Sequence, residues 1–575
     1  MNKTNLRQGS GRQACANSWC GTSFEVTDED LEFYDRLSPV FNGTKYDLPA
    51  PNLCPDCRQQ ARIALVNEKN IVIDTCDLCN KSVLSQFSPD SGKPVYCREC
   101  WHSDKWKQTD SGRDPDFTKP MFPQFAALKL STPDQSVSQQ STMINSDYTH
   151  MVGSLKNCYL LAHADMCEDC LYGYGYKKNT SCFDGFYNLH SELCYDCIDT
   201  HKCYGLIGCQ DCLNSRSSAF LRDCIGCQDC FLCVGLREKQ YCIRNEQLTK
   251  EQYLQEMQSI NLNSYSQYQK YKQERQTLEK DHTFKEYQGH NLEKCSGDHL
   301  VNCKNVLHSY DIEDGENLKF CYQLVLGARN CHDMNQYGTN IQESYQCCIV
   351  GEDSYHLLFT VEGHVASNNL LYCMYMERCK DCFGCAGMHS SQYCIMNKQY
   401  TKEEYEELVP KIIEHMKTTG EWGELFDTKH SWVGYNKTTA FMYWPLTKEE
   451  VLKRGWQWDD YEAPPPETTK IIEASQLPDL STDVPDDVLN WAIRCEVTGK
   501  LFKIQSLELK LYRQIGLPIP RRSPHQRDMD RFALRNPRKL FANSCAKCQK
   551  AIQTTYSPEE PETVYCEECY LKEVY

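Results

Sequence analysis

From about residue 151 to 405 the apolar positions come in short runs rich in Tyr, Phe, Ile and Leu, which suit short strands. The runs are separated by Asp, Asn and Gly, which suit tight turns. A small unit keeps returning: CEDC at Cys167, CFDG at Cys182, CYDC at Cys194, and CQDC at Cys209 and again at Cys227. The steps are 15, 12, 15 and 18 residues, all multiples of three. Repeats this short are too small for helix pairs and predict the coils of a β-solenoid, each stacked on the next.

The pattern is itself duplicated. QYCIRNEQLTKEQY at 240–253 recurs as QYCIMNKQYTKEEY at 392–405, an offset of 152, and CQDCFLCVG from Cys227 recurs as CKDCFGCAG from Cys379. Each half closes on a capping box, Thr249 with Gln252 and Thr401 with Glu404. The helices that start there read as caps or as a spacer, because an uncovered solenoid end leaves an open sheet edge. RQQARIALVNEKN also reads as helical, and Thr447 with Glu450 opens another short helix. YEAPPPETTK followed by LPDLSTDVPDD reads as a linker.

The order along the chain is a flexible tail over 1–14, an N-terminal tandem zinc-ribbon module over 15–107 and a linker over 108–150. The first repeat half follows over 151–245, then a helical spacer over 246–290, the second repeat half over 291–400 and a capping helix over 401–420. An aromatic and Pro/acidic linker over 421–490 leads to a C-terminal zinc-ribbon module over 491–575. The expected class is mixed, mainly β, with terminal zinc ribbons flanking a Cys-rich β-solenoid-like repeat region with helical caps.

A chain of 575 residues accommodates several domains. Its net charge of −17 makes bulk attraction to nucleic acid or anionic membrane a poor default. No apolar run is long enough to span a bilayer. The first residues, MNKTNLRQGSGRQAC, lack the apolar stretch of a signal peptide and read as a polar tail. With 38 cysteines, many in CxxC pairs, and no such signal, the composition points to metal thiolates in a reducing cytoplasm rather than to disulfides.

The strongest chemical signal lies at the two ends. Cys76, Cys79, Cys97 and Cys100 form two CxxC pairs seventeen residues apart, and Cys545, Cys548, Cys566 and Cys569 repeat that spacing 469 positions later. Cys15, Cys20, Cys54 and Cys57 close a further set. Paired knuckles of this kind suit three tetrahedral zinc ions; four cysteines also suit iron–sulfur centres, which the seventeen-residue gap disfavours mildly. Four thiolates leave no open position for water, so the sites read as structural.

The C-terminal copy keeps only one set. Cys54 and Cys57 align with Ser523 and Gln526, Cys20 with Thr498, and Cys15 with Cys495, while Arg58, Arg62 and Asn67 persist as Arg527, Arg531 and Asn536.

In the repeats, Cys227, Cys230, Cys379 and Cys382 read either as further metal ligands or as buried apolar residues in ladders. His163, His190, His201, His332, His356 and His364 leave a Cys–His catalytic pair as a minor alternative. Arg527, Arg531 and Arg535 are four apart and share one helix face. With Arg538 and Lys539 they read either as a phosphate-binding surface for nucleic acid or the ribosome, or as a solvated face or a partner for the protein's own excess acid. No P-loop, GxGxxG, HExxH or GxSxG occurs in a supporting context.

The runs CPDCRQQARIALVNEKN, CDLCNKSVLSQFSPDSGKPVYCRECWHSDKW, GRDPDFTKPMFPQF, GYNKTTAFMYWPLTKEEVLKRGWQWDDYE and LPIPRRSPHQRDMDRFALRNPRKLF resemble those of a family of cysteine-rich zinc-ribbon proteins from uncultivated small-genome bacteria. The resemblance covers nearly the whole chain. It implies zinc at the matching cysteines and carries over no activity. The expected function is therefore a non-enzymatic zinc-binding scaffold for a macromolecular partner, most simply a protein, with no membrane association.

Overall fold

The multiples of three have a direct geometric origin. In this computed structural model, which describes residues 10–324 and 326–574, every third residue of the first repeat half adopts left-handed backbone. Asn157, Leu160, His163, Met166, Asp169 and Tyr172 have φ between 51° and 57°. Each such residue turns a corner. The residue after it points inward and the next points outward. Four three-residue sides close a coil, so parallel partners are twelve residues apart: Tyr159 pairs with Leu171, Leu171 with Phe183, and Gln228 with Gln240. The molecule is mainly β, 36% strand and 24% helix, with about 21 solenoid turns.

One inward side chain per side leaves room for little more than a small residue. Cys158, Leu161, Ala164, Cys167 and Cys170 follow one another into the lumen, all buried. The thiols also satisfy lumen-facing backbone groups. Cys158 Sγ donates to the carbonyls of Lys156 (3.3 Å) and Cys167 (3.5 Å). Ser215 does the same job: its hydroxyl donates to the Leu213 carbonyl at 3.1 Å and accepts from the Cys227 N–H at 3.2 Å. Cysteine is common here because it is small, apolar and a weak donor. At the corners, asparagines form ladders, as from Asn145 to Asn157 to Asp169.

The second half follows the same rule with one variation. Arg329, Gln342, Tyr355 and Asn368 pair in succession at thirteen-residue steps, after which Asn368, Lys380 and Gln392 return to twelve. The extra residue sits at a corner, where two successive residues become left-handed: Gln336 with Tyr337, Glu352 with Asp353, and Val365 with Ala366. Three insertions raise the offset between halves from 149 at Asp184 and Asp333 to 152 at Gln240 and Gln392.

The chain forms two compact units, each discontinuous in sequence. One joins the segment ending at Ser136 to Gly289–Tyr461. The other joins Val137–Gln288 to the segment starting at Glu462. The N-terminal module therefore docks on the second solenoid half, and the C-terminal module on the first.

Several expected boundaries shift accordingly. Of the tail over 1–14, residues 1–9 lie outside the described residues, while Gly11–Ala14 is a strand paired with Ser23–Val26. The expected linker 108–150 contains the helix Met121–Ser131 and the strand Gln139–Ile144, which pairs with the solenoid strand His150–Lys156. The expected linker 421–490 is packed: Trp422, Phe426, Trp432, Tyr435 and Trp456 are buried in the first unit, and Leu477, Val484 and Val488 in the second. Aromatic area that must leave water outweighs the loop-like composition.

The capping boxes at Thr249, Thr401 and Thr447 all form. In the spacer, Tyr268 and Tyr271 of the helix Tyr265–Glu279 pack edge-on against Phe220 and Phe231 of the solenoid.

The first unit also buries a charged cluster where module meets solenoid. Lys93 and Lys129 reach Asp134 at 3.1 and 2.6 Å, with all three side chains at most 2% exposed. Burial, with repulsion from Asp134, pushes the nearby Glu362 carboxyl up to about 7 against the pull of Lys129 and Lys93. A folded value above the unfolded one means that this group stabilises the unit at low pH. That contribution is lost as pH rises from about 4.5 through about 7. Glu362→Gln cannot ionise, so its melting temperature should gain on that of the unmodified chain between about pH 5 and about pH 8. A difference that stays constant over that range would contradict the assignment.

Candidate metal centres and the docking arginines

Each terminal module places knuckle turns so that sulfurs converge. In the first unit, Cys76 N–H bonds to the Lys81 carbonyl (2.8 Å), Asn80 N–H returns to the Cys76 carbonyl (2.8 Å), and Asn80 takes the left-handed conformation at φ 58°. Cys545, Lys550 and Gln549 repeat this in the second unit, with bonds of 2.8 and 2.9 Å and φ 61° at Gln549. The other pair of each set lies at a helix start. Cys54 caps Pro55–Ile63, Cys97 caps Arg98–Trp101, and Cys566 precedes Glu567–Val574, where amide dipoles favour thiolate.

Three sets result: Cys15, Cys20, Cys54 and Cys57; Cys76, Cys79, Cys97 and Cys100; and Cys545, Cys548, Cys566 and Cys569. Within each, the sulfurs all lie within 4.8 Å of one another. Sulfur–sulfur edges of 3.6 Å (Cys20–Cys54), 3.9 Å (Cys79–Cys97) and 3.7 Å (Cys548–Cys566) stand beside the ~3.8 Å edge of a tetrahedron with metal–sulfur bonds of ~2.3 Å. The residues present thus fit a tetrahedral thiolate-bound cation.

Backbone donors support the thiolates. Cys97 N–H reaches Cys76 Sγ at 3.2 Å, and Cys54 N–H reaches Cys15 Sγ at 3.3 Å. Burial raises the Cys76 and Cys545 thiols, but backbone N–H groups outweigh it and bring them down to about 7 and about 6. Burial and neighbouring thiols push Cys100 and Cys569 up to about 12. Four thiols compete for ionisation, and a cation at their centre removes the competition.

The lost fourth site keeps its shape. Cys495 N–H bonds to the Lys500 carbonyl and Gly499 N–H to the Cys495 carbonyl, both at 3.0 Å, which is the same knuckle. Ser523 stands where Cys54 stands: it caps the helix Pro524–Phe532, its hydroxyl accepting from Gln526 N–H at 3.3 Å, and its own N–H faces the Cys495 sulfur. The Thr498 hydroxyl bonds that sulfur too. Hydrogen bonds have taken the place of the ion. Converting Thr498, Ser523 and Gln526 together to cysteine is therefore expected to add one bound metal ion per chain, read by elemental analysis; an unchanged count would contradict the equivalence.

The basic helix faces inward. Arg527 pairs with Asp184 and, at 3.2 Å, with Glu508; Arg531 lies 3.3 Å from Asp184 and 3.6 Å from Asp196. Arg535 bonds Asp199 at 2.8 Å and Arg538 bonds Tyr187 at 3.2 Å, while Lys539 lies over the Phe541 ring. Arg527 and Arg531 are 7% and 2% exposed. Of the two readings of this helix, its surroundings favour the partner for the protein's own excess acid over the phosphate-binding face: its guanidiniums neutralise the solenoid's own carboxylates.

The first unit uses the same device. Arg58 and Arg62 bond Asp333 at 2.9 and 3.0 Å, and Arg62 also bonds Asn335 and Gln346. Asp333 is the duplicate of Asp184, and Gln346 that of Asp196. Sequence reasoning singled out the duplicated arginines but not the carboxylates that receive them. The aspartates of the repeats, taken together with the paired arginines, carried that signal.

The solenoid cysteines are not gathered as the terminal ones are. Cys227, Cys230, Cys379 and Cys382 all point into the lumen, buried, and donate to carbonyls such as those of Ile225, Gln228, Glu377 and Lys380. Among the described residues, no three solenoid cysteines bring their sulfurs within 4.8 Å of one another. The six histidines occupy corner or outward positions, away from the inward thiols. His332 stacks on Phe33 at 3.6 Å, where burial pushes it down to about 3. His356 bonds the Leu37 carbonyl at 3.1 Å, and His190 lies against His201 at 5.3 Å.

A cleft of about 390 Å³ in the first unit is lined by Val40, His356, Lys380, Asp381, Lys402 and Glu406 among others, with no cysteine. No helix among the described residues is long and apolar enough to cross a membrane. No protein-family model matches the chain, and no curated protein is significantly similar to it.

Proposed function

We propose that the protein is a non-enzymatic scaffold, with zinc at the three terminal four-thiol sites and a solenoid surface that recognises a protein partner in the cytoplasm. The observation that carries this reading is the closure of each terminal site. Four protein sulfurs complete a tetrahedron, so a bound ion has no position left for substrate and serves to hold its module on the solenoid. A lumen of unpaired thiols suits a reducing compartment.

The surface most suited to a partner is one outward column of the first half. Thr180, Glu192, Tyr204 and Arg216 are exposed and in register on successive coils. They form a flat row with charges of both signs around an aromatic side chain, a mix that fits a polypeptide better than a phosphate backbone.

The test is retention of a purified partner, found by cross-linking, on the immobilised chain. Tyr204→Ala with Glu192→Lys should weaken retention at least tenfold, and nuclease treatment should leave it unchanged. Retention that nuclease abolishes and the surface variant leaves intact would instead favour nucleic-acid binding. Loss of an activity on Cys203→Ser in the neighbouring lumen would favour an enzyme.

A further inference from the structure

Because each side of a coil contributes one inward residue, four inward residues spaced three apart ring the lumen at one level. Most rings mix residue types. The ring Cys224, Cys227, Cys230 and Cys233 is all sulfur, with side-chain interactions running from Cys224 to Cys227, Cys227 to Cys230 and Cys230 to Cys233. All four are at most 1% exposed. Cys242 sits directly beyond Cys230 on the next coil.

At an offset of 152 the second half repeats the set as Met376, Cys379, Cys382 and Cys385, with Cys394 beyond Cys382. Elsewhere the duplication keeps sulfur only in part, with Cys182 and Cys197 recurring as Cys331 and Cys347. Cys194, Cys203 and Cys209 correspond to Ser344, Ser354 and Thr360, and those hydroxyls fill the lumen and bond carbonyls just as the thiols do. Packing and backbone satisfaction therefore need no sulfur. Of the seven inward positions that hold sulfur in both halves, five lie in this ring and directly beyond it, one of them by exchanging a thiol for a thioether, and that concentration points to a reason specific to sulfur.

We propose that this sulfur ring, one per solenoid half, binds a soft monovalent cation of the Cu(I) class. In the second half a thioether joins the thiols, a set that suits such a cation better than zinc, for which methionine is a poor ligand. The ring's cysteine sulfurs do not close to within 4.8 Å in threes, as the terminal sets do. A cation held by two sulfurs, without a full tetrahedron, matches that openness. Each thiol that ligates releases its proton to solvent, and the cation keeps its oxidation state.

Access is short. The ring lies one coil from the end of each half, beneath the hairpins that pair Gln240–Ile243 with Glu246–Gln247 and Gln392–Ile395 with Lys398–Gln399. There Cys242 and Cys394 donate to the amide oxygens of Gln247 (3.6 Å) and Gln399 (3.4 Å) and to the carbonyls of Gln240 and Gln392. Local opening of the hairpin exposes them.

The test uses the full, reduced chain with its terminal metal content measured first, titrated anaerobically with Cu(I) against a competing chelator. Two Cu(I) should bind per chain before any terminal metal is released. Cys227→Ser with Cys230→Ser should remove one, and Cys379→Ser with Cys382→Ser the other, while Cys203→Ser keeps both. If a ring variant fails to fold, Met376→Leu, which keeps the volume, should still weaken the second site at least tenfold. X-ray absorption of the copper-loaded parent should show sulfur neighbours alone. Copper uptake matched mole for mole by loss of terminal metal would overturn the proposal, as would unchanged uptake by the ring variants. Both outcomes leave standing the terminal metal count measured before copper is added.

Discussion

Asp333→Ala is expected to destabilise the first unit by about 3–5 kcal/mol, the cost of stranding buried guanidinium groups. Asp333 receives both Arg58 and Arg62, and the three side chains are 0%, 3% and 0% exposed. Burial works against the charged form of Arg58 and the Asp333 carboxylate supports it, with the net result that its pKa lies above the ordinary arginine value. Removing the carboxylate leaves two cations in a dry contact between the helix Pro55–Ile63 and the solenoid. Asp184→Ala should act alike in the second unit, because Arg527 and Arg531 converge there. Urea denaturation followed by circular dichroism reads both, and additivity in the double variant tests whether the two sites are independent. A loss below about 0.5 kcal/mol for Asp333→Ala would show that the pairing does not fasten the module.

Cys97→Ser is expected to have an effect at least as large. A structural zinc site of this kind supplies about 10–16 kcal/mol of apparent binding free energy, which in a small module is folding energy. Cys97 caps the short helix that carries Cys100 and the buried Trp101, and Trp101 packs edge-on against Tyr375 at 5.3 Å. Losing the ion should release that helix, shift tryptophan emission to the red and raise protease sensitivity around residues 76–106. Cys548→Ser should do the same for the C-terminal site without touching Trp101. Unchanged emission and unchanged metal content in Cys97→Ser would remove the basis for a fourth ligand at this position.

Much of the architecture was legible in the sequence because its period is stereochemical. Steps of 15, 12, 15 and 18 follow from sides of three residues, so the repeat spacing anticipated the solenoid without fixing the coil at twelve. The capping boxes at Thr249 and Thr401 were readable because a hydroxyl and a carboxyl or amide at fixed spacing satisfy the same amides wherever they occur. The terminal cysteine sets were readable because knuckle spacing is dictated by the turn.

What sequence could not convey was the crossed assembly, in which the module at each end packs on the farther solenoid half. That depends on pairings such as Arg62 with Asp333, 271 residues apart, which leave no local trace. The segment 421–461 misled for a related reason. It shows no long periodic run, and only the partner surface decides that Trp432 and Tyr435 are core. Charge counting left the basic helix open between two readings, and only the carboxylates of Asp184 and Asp196 placed opposite Arg527 and Arg531 favour internal pairing.

The central claim is that enclosed cations at the three terminal thiolate sets hold the modules in shape. It is tested most directly by elemental analysis of the full chain, purified under reducing conditions, with the fold followed by circular dichroism as a strong chelator is added. The account predicts three zinc ions per chain and loss of module structure in step with their removal. Protein that carries no metal and keeps the same fold would contradict it.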